Sequence, residues 1–440
     1  MDIEMDIDDI WDPYQKEKKR GEIMYISILS FKLSIDRENI ALKNELLEKV
    51  KERKMAPYYR EVCNYFDYKM DVDLYNTMKE ENDRVIKEKS EALEEIEKSG
   101  SDDDIIDVLL YIANYYFEIG EKDKAVEVYK KSINYKMSQN MKMDIWMYIL
   151  DVYLFHQSIA EYTSTLKTVQ KMVEESGDWE HRNRLNVYLG VSYMLSKDFT
   201  KVAELYCATI PTFTSFSVFS FNDFVKYAVI SSIMTQSRSN IKRDLVNSSD
   251  VEMSLLEMPT LQHLLSSFDE CRYRDFFLAL LDLESILKQD PYLLPSASLI
   301  IGELRLKAYQ QFLDSFKCCT LQSMADSFGV STPFINSELA RFISEGRIQA
   351  KIDRMNDTVE TQAILTKGTI LMNRVQTVAK TLDVWIVCAN KHETLRHRNS
   401  NLLATLPPPL RLLLAVASFR HSVHSSSREL APATRPRRHR

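Results

Sequence analysis

The chain has 440 residues, enough for two or three domains of ordinary size, and only nine of them are glycine. Glycine at about 2%, against a typical usage of roughly 7%, excludes glycine-rich phosphate loops and argues against many-turned β folds. The net charge of −7 combines −15 over residues 1–385 with +8 over residues 386–440, so the main body is a poor binder of polyanions.

The cysteines and the N-terminal residues indicate an intracellular protein. Six cysteines form no CxxC pair, which favours reduced and mostly buried thiols. Residues 1–24 are acidic and lack the apolar core of a signal peptide, so we expect a disordered segment. The longest apolar tract near the end, residues 402–419, is interrupted by three prolines and Arg411 and predicts no membrane span.

Helical spacing of apolar residues predicts N-terminal helices over residues 25–100. Between Tyr25 and Lys54 the pattern indicates two short helices, which end before Pro57. Residues 73–99 are highly charged and carry only a thin apolar stripe, so they predict one long and largely solvated helix.

Residues 109–133 carry the spacing of a tetratricopeptide repeat, and residues 185–210 repeat it more loosely. Small residues let two paired helices approach closely, while tyrosines fill the space between them. Two such matches, with helical sequence between them, predict a right-handed α-solenoid of TPR-like repeats over residues 101–315. The matching positions of the first repeat are Ala113, Tyr116, Gly120, Ala125 and Tyr129.

Residues 316–362 predict a winged helix. A first helix covers Leu321–Phe328, and a second begins after Ser331 and ends at Gly346. Residues 347–352 and 358–361 then predict the two strands of a β-hairpin wing. One amphipathic C-terminal helix is expected over residues 366–382, so the predicted fold is mainly α.

No catalytic or cofactor-binding motif is present in the sequence. The patterns GxxxxGK[ST] and GxGxxG do not occur, and the nearest nucleophile elbows, at Ser192 and Ser331, lack the second glycine. His156, His181 and His263 have no cysteine or glutamate at ligand spacing, so no metal site is expected. We expect neither an enzyme nor a cofactor.

A winged helix raises the alternative of DNA binding, which requires basic or amide side chains on the second helix. That helix carries two glutamates beside a single Arg341. On the wing, Arg347, Lys351 and Arg354 are offset by two aspartates. The sequence therefore favours a protein-docking module, whose wing edge can pair with a strand of a neighbour.

Five segments of the chain carry a resemblance to a known family, and longer phrases such as GDWEHRNRL at residues 177–185 are specific. These segments resemble the PCI-domain subunits of the proteasome regulatory-particle lid, of the seventh non-ATPase subunit type. The resemblance runs from about residue 25 to residue 382, with the PCI part starting near residue 195. Subunit one of the COP9 signalosome is the closest paralogue and stays open as the alternative. The similar segments are residues 54–64, 71–80, 177–191, 267–278 and 326–354.

The resemblance implies a non-catalytic subunit that scaffolds lid assembly for ubiquitin-dependent protein degradation, in the cytoplasm and the nucleus. Its implied partners are the other PCI and MPN subunits of the lid, the ATPase ring and the core particle, with no nucleic acid and no membrane. The C-terminal helix would enter a bundle of helices from other lid subunits; alternatively, its apolar face packs on the chain's own winged helix. The candidate interface residues are Phe334, Arg341, Arg347, Ile348, Lys351, Leu371, Val375, Val378 and Leu382.

The last part of the chain departs from that family. The segment between Thr361 and Thr366 is shorter than the family's linker, and family members end near the position of Leu382. Residues 383–440 match nothing and shift abruptly from lysine to arginine. We hypothesise that a retained intron or a mis-set gene model contributed this tail. The alternative is a basic arm that binds nucleic acid or acidic proteins.

Overall fold

The computed structural model describes residues 13–99 and 101–361 of the chain. The expectation of disorder over residues 1–24 is wrong from Pro13 onward, because a helix there buries an apolar face that the surrounding charges concealed. The buried apolar side chains of this first helix are Ile23, Met24, Ile26, Leu29 and Leu33. The four N-terminal helices are α1 (Pro13–Ile35), α2 (Ile40–Glu52), α3 (Ala56–Phe66) and α4 (Val72–Ser99).

A stack of helices follows, in which each packs against its neighbour in the chain. Ala113, Ala125 and Tyr129 are fully buried, as the repeat pattern predicts. In the second repeat, the ring of Tyr206 lies so close to Gly190 that an added Cβ would stand 2.0 Å from Tyr206 Cε1. The helices are α5 (Asp102–Glu118), α6 (Lys122–Ile133), α7 (Gln139–Phe155), α8 (Ile159–Ser176), α9 (Trp179–Leu195), α10 (Phe199–Thr209) and α11 (Phe221–Thr235).

Side-chain caps determine where several of these helices begin. Ser101 and Asp104 form a capping box at α5, in which each side chain accepts the other residue's backbone N–H. Ser138, Asp178 and Ser220 each accept a backbone N–H at the start of α7, α9 and α11. Caps of this kind stabilise a helix by about 1 kcal/mol each.

Further helices lead from the stack to the C-terminal module. A short π-helical turn, Lys242–Val246, and a 3₁₀ turn, Leu294–Ser296, interrupt them. None of the helices within the described residues is both long and apolar enough to cross a membrane. The helices are α12 (Arg238–Ile241), α13 (Ser249–Leu256), α14 (Pro259–Asp269), α15 (Tyr273–Lys288) and α16 (Ala297–Leu313).

The C-terminal module is a winged helix, so the predicted class, a helical stack followed by a winged helix, is confirmed. Its three strands form an antiparallel sheet in the order β1-β3-β2, and the sequence did not predict β1. The predicted C-terminal helix over residues 366–382 and the tail 383–440 lie outside the described residues. The elements are β1 (Cys318–Thr320), α17 (Leu321–Phe328), α18 (Thr332–Ser344), β2 (Ala350–Asp353) and β3 (Thr358–Thr361).

Aromatic packing joins the winged helix to the last helices of the stack. The ring of Phe328, at the end of α17, stacks on Tyr273 of α15 with centroids 4.9 Å apart. It also meets the edges of Tyr309 and Phe312 of α16 at 5.0 Å and 5.5 Å. Such aromatic pairs add about 0.5–1.5 kcal/mol beyond the burial of their area. The winged helix is therefore held firmly against α15 and α16.

A line of buried polar contacts, which we call the α1 seam, holds α1 against the stack. At its centre, Arg20 Nε donates to Asp151 Oδ2 of α7 at 3.0 Å, and Nη1 donates to Asn114 Oδ1 of α5 at 2.9 Å. The guanidinium carbon lies 4.6 Å and 4.3 Å from the ring centroids of Phe117 and Tyr148. A buried charge is tolerated only when it is paired and hydrogen-bonded, and these contacts meet that condition.

Glu17 forms the second part of the α1 seam. Its Oε1 lies 3.3 Å from Arg184 Nη2 of α9, and its Oε2 accepts the Phe216 N–H at 3.1 Å. Arg184 also donates to Asp144 Oδ1 of α7 at 2.8 Å. Burial raises the pKa of Glu17 to about 7, although the charge of Arg184 opposes this rise. The Glu17 carboxyl group therefore changes its protonation close to neutral pH.

Candidate protein-interaction surface

The second helix of the winged helix, α18, has one buried face and one outward face. It begins after Ser331 with Pro333 in its first turn, where a missing N–H costs nothing. Ile335, Leu339 and Phe342 recur at helical spacing and are buried. The packing of the buried face therefore determines which residues of α18 point outward.

Glu338 is the centre of a buried charge cluster on α18. The Tyr309 hydroxyl of α16 donates to Glu338 Oε2 at 3.0 Å. Arg305 Nη2 and Arg341 Nη2 lie 3.0 Å and 3.1 Å from Glu338 Oε1. Burial and the nearby carboxylate raise the pKa of Tyr309, so its hydroxyl stays protonated and donates. We call these four residues the Glu338 cluster; two cations share one anion in it, which leaves an excess of positive charge.

Two of the predicted interface residues, Phe334 and Arg341, stand at the rim of the Glu338 cluster. The Arg305 guanidinium lies 5.9 Å from the centroid of the Phe334 ring, which remains 38% exposed. The Arg341 guanidinium lies 4.6 Å above the ring of Phe342, and half of its side chain is exposed. An aromatic anchor beside an arginine is the composition enriched at the energetic centres of protein interfaces.

The predicted wing residues differ in their surroundings. Lys351 is exposed on β2, opposite Glu360 of β3. Arg347 forms a two-pronged ion pair with Glu303 of α16, which raises the pKa of Arg347. Ile348 is buried in the module's own core, because the chain turns inward after α18, and this position is at odds with a role in an interface.

The four remaining candidates, all in the predicted C-terminal helix, lie outside the described residues, and the structure does not place them. They are Leu371, Val375, Val378 and Leu382.

The structure changes the electrostatic argument about α18. The sequence suggested that this helix is acidic on balance because of its two glutamates, but Glu338 is buried and neutralised by two arginines. The cations Arg341 and Arg347 are each paired with a carboxylate of the same chain. An arginine that is already paired neutralises less phosphate charge, so protein docking remains the favoured use of this surface.

The residues that the sequence reasoning missed all come from α16. Glu303, Arg305 and Tyr309 lie on that element and contact winged-helix residues that are 29 to 44 positions later in the sequence. A partner so distant in the chain leaves no local pattern around these residues, so no sequence signal identified them.

Exposed apolar side chains concentrate in the C-terminal part of the described chain. Eight of the sixteen large exposed ones lie after residue 250, in about a third of the described residues, whereas residues 101–246 hold three. Single exposed apolar residues are ordinary on a protein surface, so this concentration by itself does not define an interface. The eight are Met253, Leu256, Leu278, Leu281, Leu299, Phe316, Phe334 and Met355.

A metal site would need a cluster of His, Cys, Asp or Glu side chains. Across residues 13–99 and 101–361, no group of three or more His, Cys, Asp or Glu side chains could hold a metal ion. His156 is partly buried, and its desolvation lowers its pKa to about 4 and keeps it neutral. The cysteines in this part of the chain are free thiols, namely Cys63, Cys207, Cys271, Cys318 and Cys319.

Comparison with known proteins gives two family matches and several close relatives. Residues 71–244 match the family of 26S proteasome subunit RPN7, and residues 280–363 match the PCI domain. The chain is 32% identical over 359 residues to a 26S proteasome non-ATPase regulatory subunit 6 homolog of Arabidopsis thaliana, covering 79% of this chain and 93% of that protein.

Two further relatives come from a slime mould and a yeast. The 26S proteasome non-ATPase regulatory subunit 6 of Dictyostelium discoideum is 31% identical over 351 residues, covering 78% of this chain and 92% of that protein. The 26S proteasome regulatory subunit RPN7 of Saccharomyces cerevisiae is 30% identical over 355 residues, covering 75% and 82%.

Proposed function

Because this chain belongs to the family of 26S proteasome subunit RPN7, we propose that it is a structural subunit in the lid of the proteasome regulatory particle. The observation that carries the proposal is the similarity to a named regulatory subunit over 93% of that protein's length. The winged helix with its exposed aromatic and cationic rim supports the same use, since it supplies a surface suited to protein contacts.

We propose further that the subunit acts without catalysis, as a scaffold through which the lid holds together for ubiquitin-dependent degradation. Its partners would be other PCI and MPN subunits of the lid, and through them the ATPase ring and the core particle. This use places it in the cytoplasm and the nucleus. The buried charged residues of the α1 seam and the Glu338 cluster support a scaffold, because they form ion pairs between helices.

A PCI subunit of the COP9 signalosome was the alternative, and it is not favoured. The similar proteins described above carry proteasomal names, and the family match over residues 71–244 is to the proteasome subunit. A winged-helix protein that binds nucleic acid is less favoured still, because the main body is acidic and the winged-helix arginines are largely paired within the chain.

Affinity purification of the full chain, tagged at its N-terminus in its own cells, tests the proposal. We expect proteasomal ATPases and core-particle subunits to co-purify in stoichiometric amounts. Recovery with signalosome subunits and cullin ligases instead would contradict the proposal and favour the alternative. Mass spectrometry of the same sample tests the tail, because a tryptic peptide from beyond Arg396 would contradict the gene-model explanation.

The C-terminal candidates remain a proposal of the same kind. Residues 366–382 would form a helix that contributes Leu371 and Val375 to a contact with other lid subunits. Replacing both by Asp places charge in that contact, where an unpaired charge is costly, so we expect lid incorporation to fail. Normal incorporation of this double variant would show that the segment is not an assembly element.

A further inference from the structure

The turn that connects the two strands of the wing presents an apolar side chain to solvent. This turn, which we call the wing tip, comprises residues 354–357 between β2 and β3. Met355 is 92% exposed there, the largest exposure among the large apolar side chains of the described residues. Turn residues are usually Gly, Pro, Asn, Asp or Ser, each for a reason of backbone geometry, and none of these reasons applies to Met. The fold of the chain itself therefore gives no reason for Met at this position.

The wing tip is held in one conformation by the side chain of Asp353. Its Oδ1 accepts the Met355 N–H at 2.9 Å, and its Oδ2 accepts the amide of Asn356 at 2.7 Å. The backbone of the wing tip is also tied to α17, because Leu321 N donates to Asp357 O at 2.8 Å. An apolar side chain on a fixed turn loses less conformational entropy on binding than one on a mobile loop.

A cation without a partner accompanies Met355. Arg354 is exposed, and within the described residues no carboxylate pairs with it, unlike Arg341 and Arg347 of the same module. An exposed methionine beside an unpaired arginine combines two residue types that are enriched at protein interfaces. The side chain of methionine is unbranched and polarizable, so it fills irregular apolar pockets.

We propose that the wing tip is a docking knob: Met355 enters an apolar pocket on a neighbouring subunit, and a carboxylate at the rim of that pocket pairs with Arg354. The inference deepens the proposed function, on which it rests, by assigning one contact and its chemistry. A protein pocket fits better than a nucleic-acid groove, because an apolar side chain beside a single unpaired cation neutralises few phosphates.

Substitution of Met355 in the full-length tagged chain tests the knob. We expect Met355→Asp to reduce the amount incorporated into the regulatory particle by about tenfold or more, since it puts a charge into a closed apolar pocket. Met355→Leu should incorporate as the natural chain does. Arg354→Glu should also reduce incorporation, because it would face the rim carboxylate with a like charge.

A matched control is Met253→Asp, since Met253 on α13 is also highly exposed, at 68%. The free chain should unfold at the same temperature in all four variants, because neither methionine is buried in it. Incorporation of Met355→Asp equal to that of Met253→Asp would overturn the knob. The knob would also be overturned if the free chain bound duplex DNA and Met355→Asp abolished that binding.

A photo-crosslinking residue at position 355 identifies the pocket. We expect one predominant crosslink, to a subunit segment with apolar residues next to Asp or Glu, and crosslinks spread evenly over many subunits would contradict a pocket. The two proposals fail in different ways. If the natural chain is absent from the regulatory particle, the proposed function fails; if it is present and Met355→Asp is present equally, only the knob fails.

Discussion

The α1 seam and the outward surface of the winged helix use the same residue types in opposite ways. In the α1 seam, Arg20 is buried, and all its hydrogen bonds go to groups of the same chain. On the winged helix, Phe334, Arg354 and Met355 are exposed to solvent. Burial decides the difference, because a satisfied buried charge fixes one internal geometry, whereas an exposed anchor gains its energy only when a partner removes it from water.

This contrast separates two kinds of substitution in one chain. Changes in the α1 seam or the stack should lower the free energy of unfolding of the isolated chain. Changes on the winged-helix surface should leave that free energy almost unchanged and act on assembly. For the isolated chain, the expected effects decrease from Asp151→Ala to Phe334→Ala.

The largest effect is expected from Asp151→Ala. Asp151 is 1% exposed, binds Arg20 Nε at 3.0 Å and accepts the Tyr188 hydroxyl at 2.8 Å. Its removal leaves the Arg20 charge buried without an anion, so we expect the free energy of unfolding to fall by about 3–5 kcal/mol. Urea denaturation followed by circular dichroism measures it. Lys87→Ala, in an exposed pair with Glu91, is the control and should change stability by less than about 0.5 kcal/mol. Equal losses in both variants would refute the role of the α1 seam.

Replacing glycine by alanine at two separate positions, Gly190 and Gly302, tests the packing of the helices. At Gly190 an added Cβ would overlap the Tyr206 ring, so Gly190→Ala should cost about 1–3 kcal/mol. At Gly302, inside α16, an added Cβ would meet nothing within 4 Å, so Gly302→Ala should stabilise the chain by up to about 1 kcal/mol. The melting temperatures should therefore shift in opposite directions, and shifts in the same direction would contradict the packing described for Tyr206.

The pH dependence of stability tests the titration of Glu17. Its pKa in the folded chain, about 7, lies above the ordinary value of 4.5, so the folded state binds a proton that the unfolded state releases between these values. Stability from this group is therefore present at low pH and is lost as pH rises towards 7. Between pH 5 and pH 8, the free energy of unfolding of the natural chain should fall by on the order of 1–3 kcal/mol relative to that of Glu17→Gln.

Comparing the two chains at each pH isolates Glu17, because His181 and the other titrating groups are present in both. Urea midpoints at pH 5, 6, 7 and 8 give the measurement. Parallel curves for the natural chain and Glu17→Gln would show that Glu17 does not titrate in this range.

The smallest effect on the isolated chain is expected from Phe334→Ala. Phe334 is partly exposed, so the melting temperature should change by no more than about 2 °C. Incorporation into the regulatory particle should nevertheless fall several-fold. Tyr111→Ala is a matched control, because Tyr111 is also exposed and also has a cation, Lys89, over its ring, yet lies in the stack. If both variants incorporate equally well, the interface does not include Phe334.

Sequence reasoning succeeded where a pattern is local and failed where partners are distant. The helices of the winged helix followed from Thr332, Pro333 and Gly346, whose roles depend only on their neighbours in the chain. By contrast, β1 has three residues and pairs with a strand some forty positions later, so no local signal marks it. The burial of Glu338 was missed for the same reason, since its partners Arg305 and Tyr309 lie on α16, some thirty positions earlier in the chain.

The sequence by itself determined the mainly helical class, the winged helix and the family, because composition, periodicity and matched segments are all properties of the chain read in order. The tertiary structure alone decided which charges are used internally. In the folded chain, part of the segment expected to be disordered forms the α1 seam, Ile348 and Glu338 are buried, and Met355 and Phe334 are exposed. Burial depends on elements distant in sequence that meet only after folding, and it is burial that determines whether a side chain stabilises the chain or stays available to a partner.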